Sequence, residues 1–400
     1  VLIAILASAC SAERPTGDPV SERDSAGIRI VANHDVGWTG SDAWSVRAEP
    51  LVRLGAVGAD QGEQFHRVAG GVLFGDGRIA IANAGSQQIR WYDPSGTLVA
   101  QAGREGRGPG EFSGLAAIAR MPGDSVVAYD VRLRRLTVLG PTGSLVRVAS
   151  LDIGDHVGME FPSLEGVLHD GTLLMAGRIM DTGEMEEGPV RAAMPVYRVA
   201  PDGRLLDSLR TFHGWEATVI MRRTADFVGP AITARPFGRS TSIAPLGSGF
   251  AAGTPIAFEY EVFDTRGAPT TIVRLGRRPR ALNGSDIEAY RASIPDRLPD
   301  EAGQRALRQQ AEDWVYPETL PAYGADLIGD PAGNLWVPSF TLGPDPPSRW
   351  SVFDPAGRYL GDVDVPARVD VLDIGEDRLL GLWRDALGVE QVHVYAVHKP

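Results

Sequence analysis

The sequence predicts an all-β chain of tandem four-stranded antiparallel units, and three observations carry that prediction. The first is the stretch Asp76–Phe112, DGRIAIANAGSQQIRWYDPSGTLVAQAGREGRGPGEF. Apolar residues two apart fall on one face of a pleated strand, so Ile79/Ile81 and Ile89/Trp91 each mark a strand with one buried face. Thr97–Ala102 follows as a further apolar run after the tight turn Asp93-Pro94-Ser95-Gly96. In that turn Pro pre-sets φ and Gly tolerates positive φ. The second observation is that the third-strand end recurs: IRWYDPSG at Ile89–Gly96, LTVLGPTG at Leu136–Gly143, VYRVAPDG at Val196–Gly203, YEVFDTRG at Tyr260–Gly267 and WSVFDPAG at Trp350–Gly357. A sixth, VHVYAVH at Val392–His398, ends without its turn. The third is that the preceding turns align too, at Asp76-Gly77, Gly123-Asp124, Asp170-Gly171, Gly247–Gly249, Pro331–Asn334 and Gly375–Asp377.

Antiparallel units of about forty residues in tandem imply a β-propeller, here of six blades. A propeller must close its ring, because open blade edges invite pairing with other chains. The last unit stops after its third strand. The N-terminal strand Gly27–Ala32 or Leu51–Gly55 is therefore expected to supply its missing outer strand.

In chain order, Val1–Ala9 (VLIAILASA) is an apolar run ending in small residues, followed by Cys10 and a polar stretch. That pattern marks a secretory signal. It begins without an initiator methionine or a basic region, so a truncated start is expected. Residues 11–26, polar with Pro and Gly, read as a flexible tether. Residues 27–400 read as a single propeller domain. Two insertions interrupt the repeat. Arg178–Met194 is acidic at Glu184–Glu187, which most simply marks a solvated loop. Residues 285–316 carry the only helical pattern, with Ser285-Asp286 as N-cap of a first helix and Pro299-Asp300-Glu301 opening a second. This insertion falls between blades four and five.

Two resemblances follow from these motifs. LASAC resembles a bacterial lipobox, which implies that Cys10 is the lipidated first residue of the mature protein. Ala7 stands three before the cysteine where that motif favours Leu. Ser11 is the residue type that goes with outer-membrane sorting, so the resemblance places the protein in the cell envelope. The run Ile81–Phe112 resembles an NHL-type repeat, and the chain as a whole is similar to bacterial six-bladed propeller lipoproteins of NHL/TolB-like type. Blade two lacks the Asn of the pattern, and blades three to six keep only the turn. Such propellers serve as binding scaffolds, interaction platforms, lactonases and lyases, so the resemblance implies fold and leaves chemistry open.

Composition narrows the partners. The chain is 43% hydrophobic and 22% charged, with 48 Gly and 29 Pro, as expected of a soluble, turn-rich protein. Its formal net charge of −12 argues against a nucleic-acid partner, which needs basic surface. A single cysteine, Cys10, allows no intrachain disulfide. No run approaches the roughly 20 apolar residues of a membrane span.

No dense catalytic motif is present. The loop Gly103–Phe112 can be read as an anion cradle with Arg104 and Arg107, or as an interblade linker with Phe112 as a plug; the linker is the simpler reading. None of the seven histidines forms HExxH or HxH. On a propeller His66, His156, His169 and His213 can still converge at the axis. Glu160, Glu165, Asp170, Glu259 and Asp326 are the carboxylates that could ligate calcium or zinc there, although no cofactor is predicted. No G-x-S-x-G elbow and no EF-hand loop occur. The sequon at Asn283–Ser285 is taken as coincidence. Trp91, Trp336, Trp350 and Trp383 are expected in the core, whereas Trp215 and Trp314 lie in insertions where an aromatic can grip a ligand. The expected function is a lipid-anchored, non-catalytic, monomeric scaffold for a small ligand or an envelope protein. A metal-dependent hydrolase, lactonase or lyase acting at the axial funnel is the alternative.

Overall fold

The repeated Gly turns do what their chemistry allows. In all five complete copies the glycine N–H (Gly96, Gly143, Gly203, Gly267, Gly357) donates to the carbonyl three residues back, at 2.8 to 3.1 Å. Each glycine sits at φ between +78° and +91°, where a side chain is strained. In the computed structural model the described residues are 19–34, 37–38, 40–55, 64–153, 159–179, 188–223, 228–292, 314–342 and 348–400. The lipobox, Cys10, residues 11–18, Glu184–Glu187 and the second helix up to residue 313 lie outside them.

Among the described residues these turns organise the strands into six sheets. The first comprises Val68–Leu73, Ile79–Asn83, Gln88–Tyr92 and Leu98–Ala102. The second comprises Leu115–Arg120, Val126–Asp130, Arg135–Leu139 and Leu145–Ser150. The third runs Met159–Val167, Leu173–Ile179, Gly188–Val199, Leu205–Arg223 and Val228–Ala234. The fourth is built on Ser242–Leu246, Gly249–Gly253, Glu259–Phe263 and Pro269–Leu275; the fifth on Ile328–Gly329, Leu335–Pro338, Ser348–Phe353 and Tyr359–Val365. The sixth has Val369–Ile374, Arg378–Arg384 and Glu390–His398. The first strand of each sheet abuts that of the next, and the sixth abuts the first. This is β-propeller architecture. Its core is a set of apolar layers between neighbouring sheets, such as Trp91, Phe112 and Val126 between the first and second. Leu73, Tyr92 and Leu380 fill the layer between the sixth and first.

Four-strandedness holds for sheets one, two and five and is exceeded in the third, fourth and sixth. Gly188–Met194, assigned from sequence to an insertion, belongs to a long third strand paired with Leu205–Arg223. The polar segment assigned to the tether also differs. Val20–Ser25 is an edge strand, antiparallel to Ile28–Asn33, and five of its six residues are exposed. Charged residues on such an edge deter further pairing, and the same polarity mimics a linker in sequence.

The N-terminal segment forms a belt over three sheets. Ile28–Asn33 adds in parallel to Pro269–Leu275 of the fourth sheet, so this candidate does not complete the last one. The Asn33 amide donates to the carbonyls of Arg274 and Gly357, and its oxygen accepts the Tyr359 N–H at 2.8 Å, stitching sheets four and five. The Trp38 N–H donates to Leu360 O of the fifth sheet at 2.7 Å. Ser45–Val46 and Val52–Leu54 then pair with Glu390–His398 at the outer edge of the sixth.

Between sheets four and five one helix, Gly284–Ala292, is described. Its cap is Asn283, two residues before the Ser285-Asp286 pair expected from sequence. Asn283 Oδ1 accepts the Asp286 N–H, and Asp286 Oδ2 accepts the Asn283 N–H, both at 3.0 Å. This is a reciprocal capping box. The Arg280 guanidinium forks onto Asp286 at 2.8 Å and, first among causes, holds that carboxyl below its usual range. The sequon asparagine is therefore committed to the cap.

Candidate functional site

The turns after the first strands converge on one end of the axis. There they enclose a cavity of about 410 Å³ to which every sheet contributes: Leu73, Arg120, His169, Leu246, Asp330 and Asp373 come from the first to the sixth in order. Two of its carboxylates hold the walls together. Asp330 has a fully buried side chain that accepts the N–H groups of Ala332 and Asn334, the Asn334 amide, the Trp336 indole N–H and the Lys399 ammonium. Lys399 is the single lysine of the chain. Its ammonium also lies 4.8 Å from the centre of the Trp44 ring.

Asp373 sits at an irregularity in the sixth sheet's first strand, and its carboxylate reaches the first sheet. It accepts the N–H groups of Leu73 at 2.8 Å and Ile374 at 2.9 Å. Burial nevertheless pushes its pKa up to about 6. A raised acid pKa means the folded state holds the proton longer than the unfolded chain, so this group lowers stability as pH rises from about 4 to 6. Asp373→Asn is expected to gain stability over wild type as pH is raised from 4.5 to 7.5. Urea midpoints at the two pH values check this; an equal difference at both would refute it.

Of the carboxylates singled out in sequence, the fold couples two. Glu165 lies at a bulge in the third sheet's first strand, accepting from Ser163 Oγ. Asp326, at φ +71°, precedes the fifth sheet's first strand. Burial raises the pKa of both, and the Asp326 charge raises that of Glu165 further. Carboxyls whose charged form burial disfavours are candidates for proton exchange or for a cation. Asp170 instead holds its own turn through Thr172 and pairs with Arg198, and Glu259 pairs with Arg274. The side chain of Glu160 and all of His156 lie outside the described residues. His66, His169 and His213 are not brought together; His169 alone lines the axial cavity. Among the described residues no three His, Cys, Asp or Glu side chains are grouped to hold a metal ion.

The glycine loop 103–112 is filled from within. Glu111 accepts the Gly108 N–H at 2.7 Å and pairs with Arg104 at 2.7 Å, taking the place an anion would take. These partners, the Gly108 N–H first, hold its carboxyl below the usual range. Phe112 is fully buried, and a Cβ on Gly103 would meet its ring at 2.7 Å. The linker reading holds. Trp91, Trp336 and Trp350 are buried, and Trp383 stacks on His393. Trp314 is buried too, edge-on to Tyr290 and Tyr316, and Trp215 is half-buried.

No family model and no curated protein sequence matches the chain. Solved structures do. The chain is similar to a protein of Bacteroides fragilis proposed to be exported, at 13% identity and TM-score 0.50, over 93% of this chain and 99% of that one. It is also similar to a member of the DUF4221 family from Bacteroides vulgatus, at 9% identity and TM-score 0.52, over 90% and 100%. At these identities the likeness concerns fold alone. A gluconolactonase from Xanthomonas campestris aligns at 13% identity and TM-score 0.40 over 84% and 87%, too distant to bear on activity.

Proposed function

We propose that the protein is a six-bladed propeller of NHL/TolB-like type. In this proposal Val52–Leu54 closes its ring, a lipid on Cys10 anchors it in the cell envelope, and it acts as a non-catalytic scaffold for a ligand or a protein. One observation carries the scaffold reading: the axial cavity gathers a segment from each sheet, while its buried carboxylates, Asp330 and Asp373, are engaged by turns and strand N–H groups. A surface of that kind is shaped for contact. Export is supported by the apolar run before Cys10 and by the description of the Bacteroides fragilis relative.

A second reading, a metal-dependent hydrolase, lactonase or lyase, draws on the coupled pair Glu165 and Asp326. Metal analysis of the purified full chain, paired with melting with and without chelator, separates the two. The scaffold predicts no stoichiometric ion and no change in Tm. A bound calcium or zinc whose removal lowers Tm would transfer the proposal to the hydrolase. The anchor has its own check. Cys10→Ala is expected to release the protein from membrane fractions, and unchanged fractionation would overturn the lipid anchor.

A further inference from the structure

Beside the axial cavity a groove of about 560 Å³ opens between the fourth and fifth sheets. Its floor includes Tyr260 and Phe263, and two repeated turns flank it, one starting at Asp264 and the other at Asp354. Each aspartate holds its turn with one oxygen. Asp264 Oδ1 accepts the N–H groups of Arg266 and Ala268 at 2.9 Å, and Asp354 Oδ1 accepts that of Arg358 at 2.8 Å. The second oxygen of each has no partner among the described residues, and the lining contains no lysine or arginine.

Tyr260 adds an independent observation. It is 3% exposed, yet its hydroxyl makes no hydrogen bond among the described residues. A tyrosine hydroxyl enclosed by protein except where its residue lines a cavity, and without a protein partner, is open to a ligand atom there. Burial first, and then the Asp354 charge, raise the phenol's pKa well above its usual value, which keeps it neutral. The groove thus offers two free carboxylate oxygens and a phenol oxygen with no lysine or arginine to satisfy them, His169 being the one basic side chain of its lining.

We propose that this groove binds a small ammonium-bearing molecule, its charge held by Asp264 and Asp354 and one donor taken by the Tyr260 oxygen. The site goes beyond the scaffold reading and holds equally for a hydrolase. It is tested on the purified full chain by thermal shift and calorimetry with glucosamine and putrescine, against glucose and calcium chloride at equal ionic strength. The expected result is a saturable rise in Tm with the amines and none with glucose, weakened at least tenfold in Tyr260→Phe and Asp354→Asn. Tyr260→Phe removes only an unpaired hydroxyl, and Asn keeps the turn acceptor at 354, so both variants are expected to melt no lower than wild type without ligand. Asp93→Asn, the equivalent turn of the first sheet, is expected to retain amine binding in full. The proposal is overturned if no amine shifts Tm at millimolar concentration, if calcium alone does so, or if the shift survives in both groove variants. Loss of the shift in Asp373→Asn but not in Tyr260→Phe would move the amine to the axial cavity and equally overturn it.

Discussion

Asp330→Ala is expected to destabilise the fold by about 4 kcal/mol, the largest effect of any single substitution considered for this protein. The carboxylate has no exposure and accepts from five donors, including the Lys399 ammonium at 3.1 Å. Truncation leaves the indole N–H of the fully buried Trp336 and the Asn334 amide without their acceptor, and strips a mostly buried cation of its counter-charge. Losing one partner of a buried pair is costly because the other stays desolvated. Asp330→Asn, which keeps one acceptor oxygen but no charge, is expected to fall between wild type and Ala. Urea denaturation at pH 7.5 reads both. A loss below about 1 kcal/mol for Asp330→Ala would mean that Lys399 and the turn rehydrate freely, and that the C-terminus is not tied to the fifth sheet.

His393→Phe is expected to abolish an acid-sensitive part of the stability worth about 3 kcal/mol. His393 is 5% exposed, stacks at 5.4 Å on Trp383, and bonds Tyr395 and Gln391 through its two ring nitrogens. Across the sheet it faces Gly381 on one side and Arg53 on the other. Burial first, then the Arg53 charge, push its pKa down to about 4 from the ordinary 6.5. The unfolded chain therefore takes up a proton that the folded one refuses. This contribution is complete above pH 6.5 and is lost as pH falls toward 4. Phe keeps an aromatic face on Trp383 but cannot be protonated. The difference in unfolding free energy between pH 7.5 and 4.5 should shrink in the variant, whatever its absolute stability. An unchanged difference would show that His393 is solvated in the fold. Asp373 titrates with the opposite sign over much the same range, so each effect is read only against its own variant.

The legible parts of this chain are those set by neighbours in sequence. Asp93-Pro94-Ser95-Gly96 and its four counterparts declare their turns because Pro and Gly fix φ locally, and the alternation Ile79/Ile81 then gives the strand on either side. What escaped depends on contacts across the molecule. Nothing in VSERDS at residues 20–25 tells an edge strand from a linker, since both are polar. Ile28–Asn33 and Val52–Leu54 read alike as spare strands, and only the completed sheets assign one to the fourth and the other to the sixth. For the sites, Glu165 and Asp326 stand in sequence among several carboxylates of equal standing; only the fold buries both and sets Glu165 in the field of Asp326. Asp373 and Tyr260 carried no signal at all, because their character comes from burial by residues far away in the chain. Asn283 was the one local miss: a sequon asparagine placed just before the better-looking Ser285-Asp286.

The belt has a consequence for how the protein is made. Its strands are made well before their partners: Val52–Leu54 waits for Val392–Val394, and Asn33 for Gly357. Contacts of such long sequence separation form slowly, because the loop-closure cost precedes the gain. The nascent polypeptide therefore leaves these pairings unmade until Val392–Val394 have been synthesised. Until then Val52–Leu54 and its partner edge on the sixth sheet stay unpaired, so production of this protein should depend on factors that shield unpaired strands.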